Sequence, residues 1–214
     1  VARASTGHYL PVCVFGALQQ VIPEKVMAAA GSPLWVLTQT GINDDGKPYT
    51  NVLFYNGGMG ATANKDGEGC LSWPSNISSS PIEISERNSP LFCRFKRFAS
   101  GSGGAGKQRG GLGQEIVIRN DSGHPMTIFS MANRSEFPPL GLLGGENGPL
   151  REHRVNGEVI HPKGQQTLAP GDRVTMHEPG GGGFGDPAKR DPQALANDVA
   201  EGYVSEESAR RDYG

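Results

Sequence analysis

Gly101-Ser-Gly-Gly-Ala-Gly106-Lys107-Gln108-Arg109-Gly110-Gly111-Leu112-Gly113, followed by Glu115-Ile-Val-Ile-Arg119, is the stretch that decides how this chain is read. Through Lys107 it matches the start of a phosphate-binding loop, and Gly101, Gly103 and Gly106 also have dinucleotide-loop spacing. Either motif needs a helix directly behind it, with its N-terminus facing the anion. Here the Ser/Thr position is Gln108, and three more glycines lead into β-branched residues that read as a strand. The nucleotide reading is therefore set aside. What remains is a glycine loop between two strands, whose backbone N–H groups could form an anion nest or whose missing side chains could permit close packing.

The same economy of side chains runs through the whole chain. Its 214 residues include 32 glycines and 16 prolines, with glycine at about twice its ordinary share. Hydrophobic residues make up 36%, enough for a core. Twenty basic residues against 22 acidic ones leave no electrostatic footprint for nucleic acid or a membrane surface. Arg94, Lys96, Arg97, Lys107 and Arg109 form the one basic concentration. No apolar run reaches the ~18 residues of a membrane span. Cys13, Cys70 and Cys93 lack metal-type spacing and point to buried thiols in a reducing compartment, so a cytoplasmic location is expected.

Outward from the glycine loop, residues 10–20 place Val14, Leu18 and Val21 at helical spacing with Pro11 in the first turn. Residues 34–40 and 49–55 read as a hairpin across Asn43-Asp-Asp-Gly46. An irregular stretch from Gly57 to Pro81 follows. Residues 82–86 and 91–98 read as strands, the second with Leu91, Cys93 and Phe95 on one face and Arg94 and Lys96 on the other. Residues 114–119 and 126–132 read as a second hairpin, then a loop runs from 134 to 148. Short strands are expected near Val159 and Thr167 and over 173–177. Asp191-Pro192 and Ser205 are helix-start signals for a tail over 191–213. The expected class is α+β: a predominantly β middle of short strands with glycine-rich loops, an N-terminal helix and a short helical C-terminal tail, all one domain over 1–214.

The chemistry-bearing residues are sparse. The histidines at 8, 124, 153, 161 and 177 make no metal-type pair, and no metal site is expected in this chain. His8, just ahead of the first helix, and Arg109, in the glycine loop, are the candidate catalytic residues. Candidates for substrate or interface contact are Gly57, Gly58, Gly60, Ser102, Gly103, Gly104, Lys107, Arg109, His177, Gly181 and Gly182. Glycine loses roughly 0.5–1 kcal/mol more than alanine on ordering, so so many in three loops imply backbone approaches that a Cβ would forbid. A stand-alone β-rich binding module is equally compatible with these residues.

The ordered motifs resemble those of the hydantoinase B/oxoprolinase family. They are Ser5-Thr6-Gly7-His8-Tyr9 with Val14-Phe15-Gly16-Ala17-Leu18, then Gly57-Gly58-Met59-Gly60-Ala61 with Lys65-Asp66-Gly67. Ser102-Gly103-Gly104-Ala105-Gly106 with Arg109-Gly110-Gly111-Leu112-Gly113 is the most distinctive. Pro138-Pro139-Leu140-Gly141-Leu142, Pro179 to Pro187 and Gly202-Tyr203-Val204-Ser205 complete the order. Lys107-Gln108 and Asn133-Arg134 depart from the pattern without favouring a substrate. The resemblance implies the C-terminal portion of a B-type subunit in an ATP-dependent hydrolase of hydantoins, oxoproline or related cyclic amides, inactive alone. A ketone carboxylase subunit is the alternative within the family. It further implies ATP and Mg on a hydantoinase A-type subunit or fused half, a divalent metal in a missing N-terminal half, and a hetero-oligomer.

Overall fold

The computed structural model describes residues 6–214, so Ser5 of the first motif lies outside the described residues. Among the described residues, nine strands form two antiparallel sheets. β1 (Trp35–Ile42), β2 (Pro48–Tyr55), β5 (Met126–Met131) and β8 (Lys163–Leu168) make one, in the order β2-β1-β5-β8. β3 (Leu91–Phe98), β4 (Gln114–Asn120), β6 (Glu152–Val155), β7 (Glu158–Ile160) and β9 (Arg173–His177) make the other, in the order β3-β4-β9-β6-β7. Trp35, Leu37, Leu53, Met126, Ile128 and Leu168 of the first face Leu91, Ile116, Ile118, Val174 and Met176 of the second in one buried cluster. Side chains alternate along each strand, so one inward face per sheet suffices to make this sandwich.

The α+β class, the leading helix and the helical tail match the sequence reading. α1 spans Leu10–Leu18 with a proline in its first turn. α3 (Pro192–Ala200) and α4 (Glu206–Asp212) start at Asp191 and Ser205, whose side chains accept from Ala194 N and Ser208 N. Several other expectations are corrected. Residues 82–86 are not a strand but the start of α2 (Ile82–Asn88). Ile82 and Ile84 mimic a two-residue period, yet Ile84 is exposed while Ser85 turns inward and closes on the Pro81 carbonyl. α2 lies across the open edge between β2 and β3.

β4 and β5 do not form a hairpin. Ile116 and Ile118 meet Met126 and Ile128 from opposite sheets, so the intervening turn is an arch between layers, with β4 paired to β3 and β9. Strand β6 had no counterpart in the sequence reading. It turns into β7 through Asn156-Gly157, both at positive φ (51° and 93°), as the tightest hairpin turn requires. In β3 a bulge between Cys93 and Phe95 breaks the expected alternation and puts Lys96 opposite Ile116, on the inward side. On α1 the packed residues are Phe15 and Leu18, whereas Val14 is exposed. Cys13 is exposed and Cys70 and Cys93 are half-buried, so the thiols are not uniformly buried.

One end of the sandwich is built from backbone rather than side chains. Residues 28–34, 56–61, 99–113, 132–151 and 178–186 all leave or enter strands there and pack on one another. The segment 180–185 runs through their middle. Its six N–H groups donate in turn to the carbonyls of Ser102, Gly111, Ala29, Glu146, Gln108 and Leu142, at 2.8–3.0 Å. A strand shares its hydrogen bonds between two neighbours, whereas this segment distributes them among several, as a three-fold extended chain does. Such an array needs bare backbone. A Cβ on Gly181 would overlap the Met59 carbonyl and lie 2.6 Å from Gly60 N; one on Gly58 would overlap Gly111 O and lie 2.8 Å from Gly181 N.

Candidate functional site

Beside this glycine layer, at the mouth between the two sheets, lies a cleft of about 650 Å³, within the range of small-molecule sites. Asn56 enters it from the end of β2, Gln114 from the start of β4, Lys96 and Phe98 from β3, and Cys70 and Ile77 from the loop that closes it. The β3 bulge is what turns Lys96 this way. Its ammonium sits 5.5 Å from the centre of the Tyr55 ring, and burial lowers its pKa. Cys70 donates toward the carbonyls of Leu112 and Gly113, and burial pushes its pKa up to about 12, so the thiol stays protonated.

Two of its lining residues each carry an acceptor that is sealed from solvent. Asn56, 4% exposed, commits its Nδ2 to the Ile77 carbonyl at 3.1 Å. Its Oδ1 has no partner, and neither does Oε1 of Gln114, which is 3% exposed. Buried polar atoms are nearly always satisfied, and leaving one bare costs about 1–3 kcal/mol.

Behind the cleft the head of the glycine segment is pinned electrostatically. Glu178 and Arg151, both 0% exposed in their side chains, form an ion pair. Arg151 also donates to Ser32 Oγ at 2.6 Å and lies over the Trp35 ring at 4.6 Å. His153 stacks against Trp35 with 5.3 Å between ring centres, and its Nε2 is 3.6 Å from Glu178 Oε1. Burial lowers the His153 pKa from 6.5, outweighing the attraction of Glu178, with Arg151 and His177 adding to the lowering. The folded protein thus holds His153 neutral where the unfolded chain is already protonated. Its contribution to stability is complete above about pH 6.5 and is lost as pH falls through the lowered folded value. The urea midpoint is expected to fall between pH 7 and pH 5, and less steeply in His153→Gln.

The residues singled out from sequence fall in three places. Gly57, Gly58, Gly60, Ser102, Gly104, Gly181 and Gly182 are buried together inside the glycine layer, with Gly103 half-buried at its rim. Lys107 is exposed on the loop, and His177 ends β9 opposite Glu115 and Glu152. His8 is buried elsewhere, with its Nε2 2.7 Å from Ser75 Oγ. The basic concentration is not one patch, because Arg97 pairs with Glu115 and Arg109 points inward.

Arg109 meets Asp198 of α3 with two nitrogens, at 3.1 and 3.3 Å, and donates to the Gly110 carbonyl at 2.7 Å. Asp198 also accepts from Arg190 at 2.6 Å, and Arg190 holds both oxygens of Asp66. Asp66 in turn accepts from Arg109 N at 2.7 Å. Burial works to raise the Asp66 pKa, but Arg190 and Arg109 override it and hold the carboxyl low. Two arginines and two aspartates therefore clasp the loops around Asp66 and Arg109 to the helical tail. Arg109→Ala is expected to lower the melting temperature by on the order of 5 °C, since Asp198 keeps Arg190. Differential scanning calorimetry checks this.

Sequence reasoning missed Asn56, Gln114, Arg151, His153, Glu178, Asp198 and Arg190. The one available signal was Glu178, a carboxylate at the head of a glycine run with no cation near it in sequence. Among the described residues, no three His, Cys, Asp or Glu side chains converge as metal ligands. None of the described helices is long and apolar enough to cross a membrane.

The antiparallel sandwich capped by interleaved glycine segments identifies the chain's relatives. It belongs to the hydantoinase B/oxoprolinase family, whose signature covers residues 1–187. It is 32% identical to the caprolactamase subunit beta of Pseudomonas jessenii, over 92% of this chain and 36% of that protein. The crystal structure of the ATP-dependent caprolactamase from that organism superposes with a TM-score of 0.80 at 27% identity, covering 92% of this chain and 37% of its own. A nucleotide-free acetone carboxylase structure follows at 0.77 and 25%, covering 92% of this chain and 31% of its own. The chain thus spans about a third of the length of these relatives.

Proposed function

We propose that this chain is the C-terminal part of a B-type subunit in an ATP-dependent hydrolase of cyclic amides, working in the cytoplasm with a hydantoinase A-type partner. The observation that carries the reading is the likeness to the caprolactamase structure, which extends over nearly all of this chain. A cyclic amide is resonance-stabilised, so opening it takes a metal-activated nucleophile or phosphorylation of its oxygen. The described residues present no metal cluster. Following the family resemblance, ATP and Mg are assigned to the A-type partner and a divalent metal to the remainder of the B-type subunit. This part contributes a rigid glycine-walled scaffold, with Lys107, Gly103 and His177 on its accessible rim and Arg109 as a tie rather than a catalyst.

The test is to assemble the full-length subunit with its partner and supply ATP with caprolactam, hydantoin or 5-oxoproline, and separately a ketone with bicarbonate. Ring opening coupled to ATP cleavage is expected. Ketone carboxylation without any ring opening would replace the hydrolase reading by a carboxylase one. The 214-residue chain alone is expected to show no calorimetric binding of Mg-ATP tighter than about 10 μM.

A further inference from the structure

We infer that the outer face of the β3-β4-β9 sheet binds a phosphate dianion, free or as a small monoester, between Arg94, Arg119 and Arg173. The three arginines line one pocket of about 320 Å³, at the small end of the range for ligand sites. Ile118 and Val174 point into the core, so their neighbours Arg119 and Arg173 stand on the opposite face of β4 and β9. These two arginines are directly paired across the strands, and Phe92 of β3 is the partner of Arg119 on its other side. Arg94 occupies the β3 bulge, where the ladder skips it, and joins the same pocket. The inference stands apart from the function proposed above.

Like charges directly opposite one another weaken a sheet, and this pocket does little to offset them. No acidic residue lines it. Arg119 reaches Asp121 at 2.6 Å, but both side chains are about half exposed. Among the described residues no carboxylate pairs with the guanidinium of Arg94 or Arg173. Asp172, beside Arg173 in sequence, spends its oxygens on Asn156 Nδ2 and Ala169 N, at 2.8 and 2.7 Å. Two cations are thus left unmatched in a chain whose net charge is -2. A local rule broken without internal compensation points to a ligand that supplies the compensation.

The chemistry of the ligand follows from the count and the geometry. Two unmatched cations call for two negative charges. Three guanidinium forks arriving from three strands call for oxygens facing several directions, which a tetrahedral oxyanion has. A carboxylate carries one charge in one plane and fills a single fork. Phe92 and Val117 form an apolar part of the lining, against which the organic group of a monoester can lie.

The test is arginine modification by phenylglyoxal, read residue by residue by peptide mass spectrometry, on the full-length subunit with its partner. Phosphate bound elsewhere in the assembly does not register in such a readout. Inorganic phosphate should slow modification of Arg94 and Arg173 roughly tenfold relative to sodium chloride or acetate at matched ionic strength. Arg210, exposed on α4, serves as the unprotected reference. Phenyl phosphate protecting at lower concentration than inorganic phosphate identifies a monoester as the ligand; equal protection identifies the free anion. Arg94→Gln should remove most of the protection of Arg173, and Arg173→Gln most of that of Arg94, while Lys47→Gln, in the exposed β1–β2 turn, changes neither. Without phosphate, Arg173→Gln should melt no lower than the parent protein, because it removes one of two opposed like charges, so its loss of binding is not misfolding. Protection by phosphate no greater than by acetate overturns the assignment. So does full protection of both arginines in the assembly before phosphate is added, which would give them to a carboxylate of the partner.

Discussion

Gly58→Ala is expected to yield no folded protein. A Cβ there would overlap the Gly111 carbonyl and crowd Gly181 N, and both obstacles are backbone held by their own hydrogen bonds. A flexible side chain could swing aside, but these two segments can only separate. Gly111 N donates to Met59 O and Gly181 N to Gly111 O, so separation breaks bonds in the neighbouring segments as well. The loss should exceed about 5 kcal/mol, at the extreme of single substitutions. Soluble yield and far-UV circular dichroism report it. Gly16→Ala is the internal comparison. Gly16 lies inside α1 with nothing within 4 Å of a built Cβ, and the gain should be about 0.5–1 kcal/mol. Equal outcomes for the two would disprove the close-packing account of the glycine layer.

The second large effect is expected at Glu178. Glu178→Gln leaves the Arg151 guanidinium fully enclosed without a countercharge, which costs about 3–5 kcal/mol. In a chain of this size the melting temperature should fall by on the order of 10 °C. The double variant Arg151→Met with Glu178→Met should regain most of the loss, because two matched apolar side chains leave no buried charge. Added salt should change neither result, since screening does not reach a fully buried pair. A double variant no more stable than Glu178→Gln would show that Arg151's hydrogen bond to Ser32 and its contact with Trp35, rather than the charge balance of the pair, hold this region together.

The features legible in the sequence are those fixed by a local rule. The β-branched and aromatic residues of 34–40 and 49–55, with the Asn43–Gly46 turn between them, mark β1 and β2, and Asp191-Pro192 and Ser205 mark the starts of α3 and α4. The glycine loops were legible only as either an anion nest or a close-packing device, and it is the bare backbone contacts of the fold that show the close packing. Local rules failed where tertiary context took over. Ile82 and Ile84 mimic a strand because period two and a short amphipathic helix look alike over five residues. Residues 114–119 and 126–132 have hairpin spacing, yet their inward faces belong to opposite layers. The cleft was invisible for a related reason. Asn56 and Gln114 stand at strand ends in different sheets, and Lys96 joins the lining only through a bulge. Asn156-Gly157, by contrast, was a readable turn signal that the sequence reading passed over.

The threading of residues 180–185 has a consequence for biosynthesis. Every other partner in the glycine layer is translated earlier: residues 28–31, 57–61, 102–111 and 140–148 all precede it. Until the last of these six residues leaves the ribosome, those segments have no shared axis to hydrogen-bond to. All of those segments must therefore wait, the two sheets open at one end. Contacts that span so much sequence are slow to form, and the nascent chain exposes its unpaired backbone meanwhile. Placing the keystone after every segment it joins makes its arrival, rather than any single strand pairing, the event that commits the sandwich to its final form.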